Sequence, residues 1–182
     1  MLKNFKVVYP WILYKLFKSY CMSLYGCQLW DYSHKSVAVF FCGWRKAIRK
    51  IWNIPQRTHC NLLNLICSGY PIEAQLHKRF LKFVKSTVNS KNICTNICAK
   101  LAVHGNQSTL GNSLNYICHR YGLSKYELTN MSLSKILSAV NKIDINSKSE
   151  NDKIKAGAIR DFISLRENDD NLNDIINELC TN

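Results

Sequence analysis

The sequence predicts an all-α protein, a multi-helix bundle with basic amphipathic helices and a small helical appendage at its C-terminus. Three observations carry that expectation. Apolar residues recur at three- and four-residue spacings through most of the 182 residues, the period of helices that bury one face. The three prolines, Pro10, Pro55 and Pro71, all fall at the edges of such runs, where a helix tolerates or ends at proline. The one stretch that reads locally as a strand, Val37 to Phe41, lies inside a longer helical repeat that overrides it.

In chain order, WILYKLFKSYCMSLYG after Pro10 predicts a helix with Ile12, Leu13, Leu16, Phe17, Tyr20 and Leu24 on one broad face, ending at Gly26. A short turn, DYSHK, leads into the central helix, for which Ser33 is the expected N-cap. There Val37, Phe40, Phe41, Trp44, Ala47, Ile48, Ile51 and Trp52 share an arc of about 140°. Arg45, Lys46, Arg49 and Lys50 fill the other side together with Cys42, and Asn53 ahead of Pro55 supplies the stop. Thr58 is placed to cap a short helix through LLNLIC.

Pro71 then opens a helix with Glu73 in its first turn. Ile72, Leu76, Phe80, Phe83, Val84 and Val88 line its core side, and Lys78, Arg79, Lys82 and Lys85 the other. Helical ICTNICAKLAVHG is expected to turn Ile93, Ile97 and Leu101 inward, and GNQSTLG reads as a loop. Helices follow in NSLNYICHRYG, MSLSKILSAVNKI, KIKAGAIRDFISLRE and NLNDIINELC, with NSKSEND as a polar linker before the last pair. In domain terms this gives a basic helical region 1–104, a second helical region 105–146 and an acidic terminal helical pair 147–182.

Charge is distributed unevenly. Residues 1–104 hold 16 of the 25 Lys and Arg but only two acids, Asp31 and Glu73, for a net +14. Residues 105–182 hold 9 bases and 10 acids, for a net −1. A polyanion is therefore the expected partner of the first region, either nucleic acid or an acidic membrane surface. Four cations without an anion on a helix backed by tryptophans suit a phosphate backbone. The expected contacts are Arg45, Lys46, Arg49, Lys50, Lys78, Arg79, Lys82 and Lys85, joined by Arg57 and His59 in the turn between. His59 reads equally well as a structural turn residue. Trp30, Trp44 and Trp52 lie on apolar faces and are expected in the core.

Nine cysteines, an odd number without a framework spacing, and no cleavable leader predict reduced thiols and a cytoplasmic or nuclear location. No apolar run is long enough to cross a bilayer, so no membrane span is expected. Cys94, Cys98, His104, Cys118 and His119 are not spaced as a compact zinc knuckle. Cys94 and Cys98, one helical turn apart beside Ile93 and Ile97, are expected as buried thiols, and no metal site is expected. No phosphate-binding glycine loop and no activated nucleophile is present.

The runs LFKSYCMSLYGCQLWD and WRKAIRKIWNIPQRTHCNLLNLICSGYPIEAQLHKRFLKFVKS, with STLGNSLNYI and DIINELCTN further on, resemble the region after the polymerase palm in reverse transcriptases of jockey-like non-LTR retrotransposons. Trp44, Arg45, Arg49, Trp52, Pro55, Thr58 and His59 match that family's pattern. The resemblance implies a thumb-like region 1–104 that grips a template–primer duplex of RNA, DNA or their hybrid, and the polymerase domain of a parent protein as a further partner. The family polymerises with a hydrophobic Asp-Asp hairpin that holds magnesium. Here the only adjacent pair, Asp169 and Asp170, lies in polar RENDDNL. The resemblance therefore implies a C-terminal fragment with no catalytic residue and no cofactor of its own, the magnesium belonging to the missing palm. An active reverse transcriptase whose palm is encoded upstream, and a basic amphipathic protein of a membrane surface, are the alternatives.

Overall fold

Most residues described by the computed structural model are helical; the described residues are 10–67, 71–105, 108–146, 150–165, 176 and 178–180. Among them no strand occurs, and the all-α class holds. The helices are α1 (Pro10–Cys21), α2 (Lys35–Ile51), α3 (Cys60–Ile66), α4 (Ile72–Val88), α5 (Ile93–His104), α6 (Thr109–Tyr121), α7 (Lys125–Asn130), α8 (Leu133–Asn146) and α9 (Glu150–Leu165). A 3-10 turn, Cys27–Leu29, precedes α2. Asp169 and Asp170, and most of the expected last helix, lie outside the described residues.

The chain forms two compact units from discontinuous stretches, not from the consecutive regions 1–104, 105–146 and 147–182. One unit comprises Met1–Leu24, Cys42–Tyr70 and Lys148–Asn182, and the other Tyr25–Phe41 and Pro71–Ser147. In the first, α9 packs on α3: Leu62, Leu63 and Ile66 are buried on one helix, and Ala156, Ile159 and Ile163 on the other. The acidic end of the chain is thus core to this unit. Trp52 meets Trp11 and Tyr14 with ring centroids about 6 Å apart. Burial raises the Cys67 thiol to about 11, an inert sulfhydryl.

Two expectations for this unit fail. Helix α1 stops at Cys21 instead of Gly26, because Leu24 and Gly26 both take positive φ. Of the expected face only Phe17 and Leu24 are half-buried; Ile12, Leu13, Leu16 and Tyr20 are exposed and Tyr14 is buried instead. The docking element is the Trp11–Tyr14–Trp52 ring cluster, which turns the helix about its axis. The stop at Asn53 is as expected and has a clear mechanism. Asn53 adopts φ 48°, Ile54 N–H donates to the Arg49 carbonyl, and Asn53 N–H donates to the Lys50 carbonyl. This paired closure is the Schellman arrangement, with buried Ile54 supplying its apolar contact.

In the second unit α4 is the central helix, touched by the 3-10 turn and by α5, α7 and α8. Its buried face, Ile72, Leu76, Phe80, Val84 and Val88, is the expected one, with Phe83 half-buried at the margin. The buried side also includes His77, whose Nδ1 lies 3.0 Å from the Tyr121 hydroxyl. The rings of Tyr32, Tyr116 and Tyr121 meet His77 edge to face.

Helix α5 contradicts its predicted orientation. Ile93, Ile97 and Leu101 are 74%, 51% and 68% exposed, and Cys94 and Cys98 are exposed with them. The helix buries Ala99 and Val103. Close approach explains the choice: a Cβ on Gly111 of α6 would lie 2.7 Å from the Ala102 carbonyl and also strike that of Gly105, so only the small-residue face fits. The loop GNQSTLG is shorter than expected, since the Ser108 hydroxyl accepts from Gly111 N–H and starts α6 early. Helix α7, unforeseen, opens with a capping box in which Ser124 and Glu127 bond each other's backbone N–H.

Burial lowers the pKa of His77 to about 3. The unfolded chain therefore takes up a proton near the ordinary histidine pKa that the folded chain refuses. Stability is lost as pH falls from about 6.5 toward 3, by about 2 kcal/mol between pH 7 and pH 5. Chemical denaturation at the two pH values measures this loss, and His77→Phe removes it. An unchanged pH dependence in that variant contradicts the assignment.

Candidate nucleic-acid interface

Helix α2 separates its faces as its sequence requires. Val37, Phe41, Trp44, Ile48 and Trp52 are buried, Phe40, Ala47 and Ile51 half-buried, and Lys46, Lys50 and Cys42 exposed. Trp44 and Trp52 are core residues, as expected, whereas Trp30 is half-buried. His34, not Ser33, caps the helix: its Nδ1 accepts from the Ser36 N–H at 3.2 Å, while Ser33 bonds the Asp31 carboxylate. Arg45 and Arg49 are half-buried on the flanks of the cationic face.

Arg49 also has a structural task. Its Nη2 donates to the Thr58 carbonyl at 2.7 Å and reaches the Cys60 thiol at 3.8 Å. The guanidinium thereby ties the turn after α2 back to the helix. Thr58 is buried, and its hydroxyl donates to the Pro55 carbonyl at 2.7 Å rather than capping α3. His59 takes the N-cap position with no side-chain cap bond, and its ring, like Arg57, is exposed.

On α4, Arg79 and Lys82 are exposed and Lys78 and Lys85 half-buried. Lys85 donates from Nζ to the Leu128 carbonyl of α7 at 3.3 Å, a cation at a helix C-terminus, where the dipole favours it. Glu73, one of the two acids of residues 1–104, meets Arg120 at 3.0 Å. The acid of this helix is therefore engaged by a base from the near-neutral part of the chain. The α2 cations Arg45 to Lys50 belong to the first unit and those of α4 to the second.

Cys118 is buried, its thiol raised by burial to about 11, while Cys94, Cys98, His104 and His119 are exposed. Among the described residues no three His, Cys, Asp or Glu side chains converge on a metal-sized site. No helix among them is long and apolar enough to cross a membrane. Protein-family models, curated proteins and solved structures give no match to the chain.

Arg49→Ala should lower stability by about 1.5–3 kcal/mol, the range for a hydrogen bond to a charged group. Lys50→Ala, one residue on and exposed, should stay within about 0.5 kcal/mol of the parent. Urea midpoints of the two variants test the division. Equal effects would mean that the Thr58 contact contributes nothing.

Proposed function

We propose that the chain is a nucleic-acid-binding module, the thumb-like and C-terminal part of a non-LTR retrotransposon reverse transcriptase, which holds its duplex through phosphates. The observation that carries this reading is the solvent side of α2 and α4. Lys46, Lys50, Arg79 and Lys82 are exposed there, with Arg57 and His59 exposed in the turn after α2. Asp31 and Glu73 are the only acids of residues 1–104; Glu73 is paired with Arg120, and Asp31 Oδ1 accepts from Ser33. Binding of this kind releases counterions and contains little base readout. Arg49 and Lys85, whose nitrogens already hold backbone carbonyls, position their helices and add charge to the face.

No residue of this chain is assigned to catalysis. The sequence has no hydrophobic Asp-Asp hairpin. The proposed activity is binding alone, in a location reached by cytoplasmic or nuclear nucleic acid. A second reading, attachment to an acidic membrane surface, is favoured by one observation: α1 exposes Trp11, Ile12, Leu16 and Tyr20 alongside Lys15 and Lys18.

A salt titration of duplex affinity separates these readings. With roughly five phosphates neutralised, log K should fall against log salt with a slope of about −4 to −5. Lys50→Gln together with Lys82→Gln should flatten the slope by about two and weaken all duplex sequences alike. Both lysines are exposed, so neither change should disturb the fold. Salt-insensitive binding, or tighter sedimentation with anionic vesicles than with duplex at matched salt, would overturn the nucleic-acid reading.

A further inference from the structure

Helix α5 carries two cysteines one turn apart, and both are exposed rather than buried as their apolar neighbours suggest. Cys94 and Cys98 are separated by about 40° around the helix axis and about 6 Å along it. The buried residues of the helix, Ala99 and Val103, lie about 100–180° round the axis from them, so both side chains leave the helix toward solvent. A helical side chain leans back over the turn before it, which stands the Cys98 thiol over Cys94.

The turn that carries the pair is held in place. The Asn92 side chain caps α5 by accepting from Thr95 N–H at 3.1 Å, and the Asn96 amide donates to the Val88 carbonyl at the end of α4. Beyond it the helix packs on α4 and α6. This rigidity decides between two fates of a dithiol. A disulfide needs Cβ atoms about 3.5–4.5 Å apart, but residues four apart in a helix hold theirs at about 5–6 Å. Closing that bond would unwind the capped turn. A metal ion between the sulfurs adds two bonds of about 2.3 Å and spans the same gap without moving the backbone.

Thiolates select soft ions, chiefly Cu(I), zinc and iron–sulfur clusters. Zinc takes three or four protein ligands and the clusters four. Helix α5 offers two: among the described residues no third His, Cys, Asp or Glu joins them, and the sequence has no acid between Glu73 and Glu127. His104, the next such residue on the helix, lies about 9 Å further along the axis. Two sulfurs complete the digonal coordination of Cu(I). Ile97 and Leu101, exposed on the same side, supply an apolar flank that limits the access of water to a soft ion.

We propose that Cys94 and Cys98 form a two-thiolate site for a single soft monovalent metal ion, Cu(I). Binding releases one proton from each thiol to solvent and leaves the oxidation state of the copper unchanged. The site is separate from the phosphate contacts and does not depend on them.

Titration of the reduced full chain with Cu(I) under argon, in competition with the chelator bicinchoninate, tests the site. One Cu(I) per chain should resist the chelator. Cys94→Ser and Cys98→Ser should each weaken binding at least about a hundredfold, the loss of one arm of a chelate, and both should keep the parent's urea midpoint. Cys21→Ser, Cys42→Ser and Cys60→Ser, at the other exposed cysteines, should leave it unchanged. Copper retained by either α5 variant, displaced by zinc in about tenfold excess, or bound at half an equivalent with a doubling of mass in sedimentation would each overturn the proposal. So would a Cys94–Cys98 disulfide formed by mild oxidation with helix content unchanged, because the spacing would then suit the simpler bond. Copper lost to the chelator beside intact salt-dependent duplex binding would remove this site and leave the phosphate reading standing.

Discussion

The hydroxyl of Ser113 is the contact on which most of the second unit depends. It is buried in α6, yet both of its hydrogen bonds reach the segment before α2, more than 80 residues away in sequence. The buried Tyr32 N–H without a partner would be costly, and the same side chain also satisfies the part-buried Trp30 carbonyl. With that segment fixed, the Tyr32 ring is set against His77 and Phe80 at 5.2 and 5.4 Å, and its hydroxyl bonds the Cys27 carbonyl at 2.9 Å. The core of α4 is thus closed by a segment with no regular structure beyond one 3-10 turn.

This closure has a consequence for the charged surface. Helix α4 buries its apolar stripe and His77 on one side, so its bases face solvent. Helix α2 reaches the same division with tryptophans in place of aliphatics. Neither face is a plain row of solvated cations, however. Arg49 and Lys85 each bond a carbonyl of a neighbouring segment, which fixes the spacing of the exposed bases around them. A fixed array of cations binds a polyanion with less entropy to lose than a mobile one.

The legible parts of the sequence were those governed by local periodicity. The two faces of α2 and α4, the stop at Asn53 and the helix start at Pro71 follow from spacing and from residue conformation alone. The expectations that failed were those in which a distant partner decides. Ile93, Ile97 and Leu101 have the spacing of a core stripe, but the close approach at Gly111 admits only the alanine face of α5. In α1 the aromatic cluster with Trp52 overrides the wider aliphatic face. The partners of Arg49, Lys85 and Ser113 leave no trace in their own neighbourhoods. By contrast, the capping box of α7 was present in the letters SKYE and needed only to be looked for.

The nucleic-acid reading requires that the exposed bases of α2 and those of α4 each meet phosphates. Lysine acetylation footprinting by mass spectrometry, with and without saturating duplex, tests it most directly. Lys46, Lys50 and Lys82 are exposed on the proposed faces, and Lys135 and Lys142 on α8 and Lys153 on α9, the last paired with Glu150, are exposed as well. The account predicts that duplex protects the first three and leaves the second three as reactive as before. Equal protection of both sets, or protection confined to α8 and α9, would contradict it.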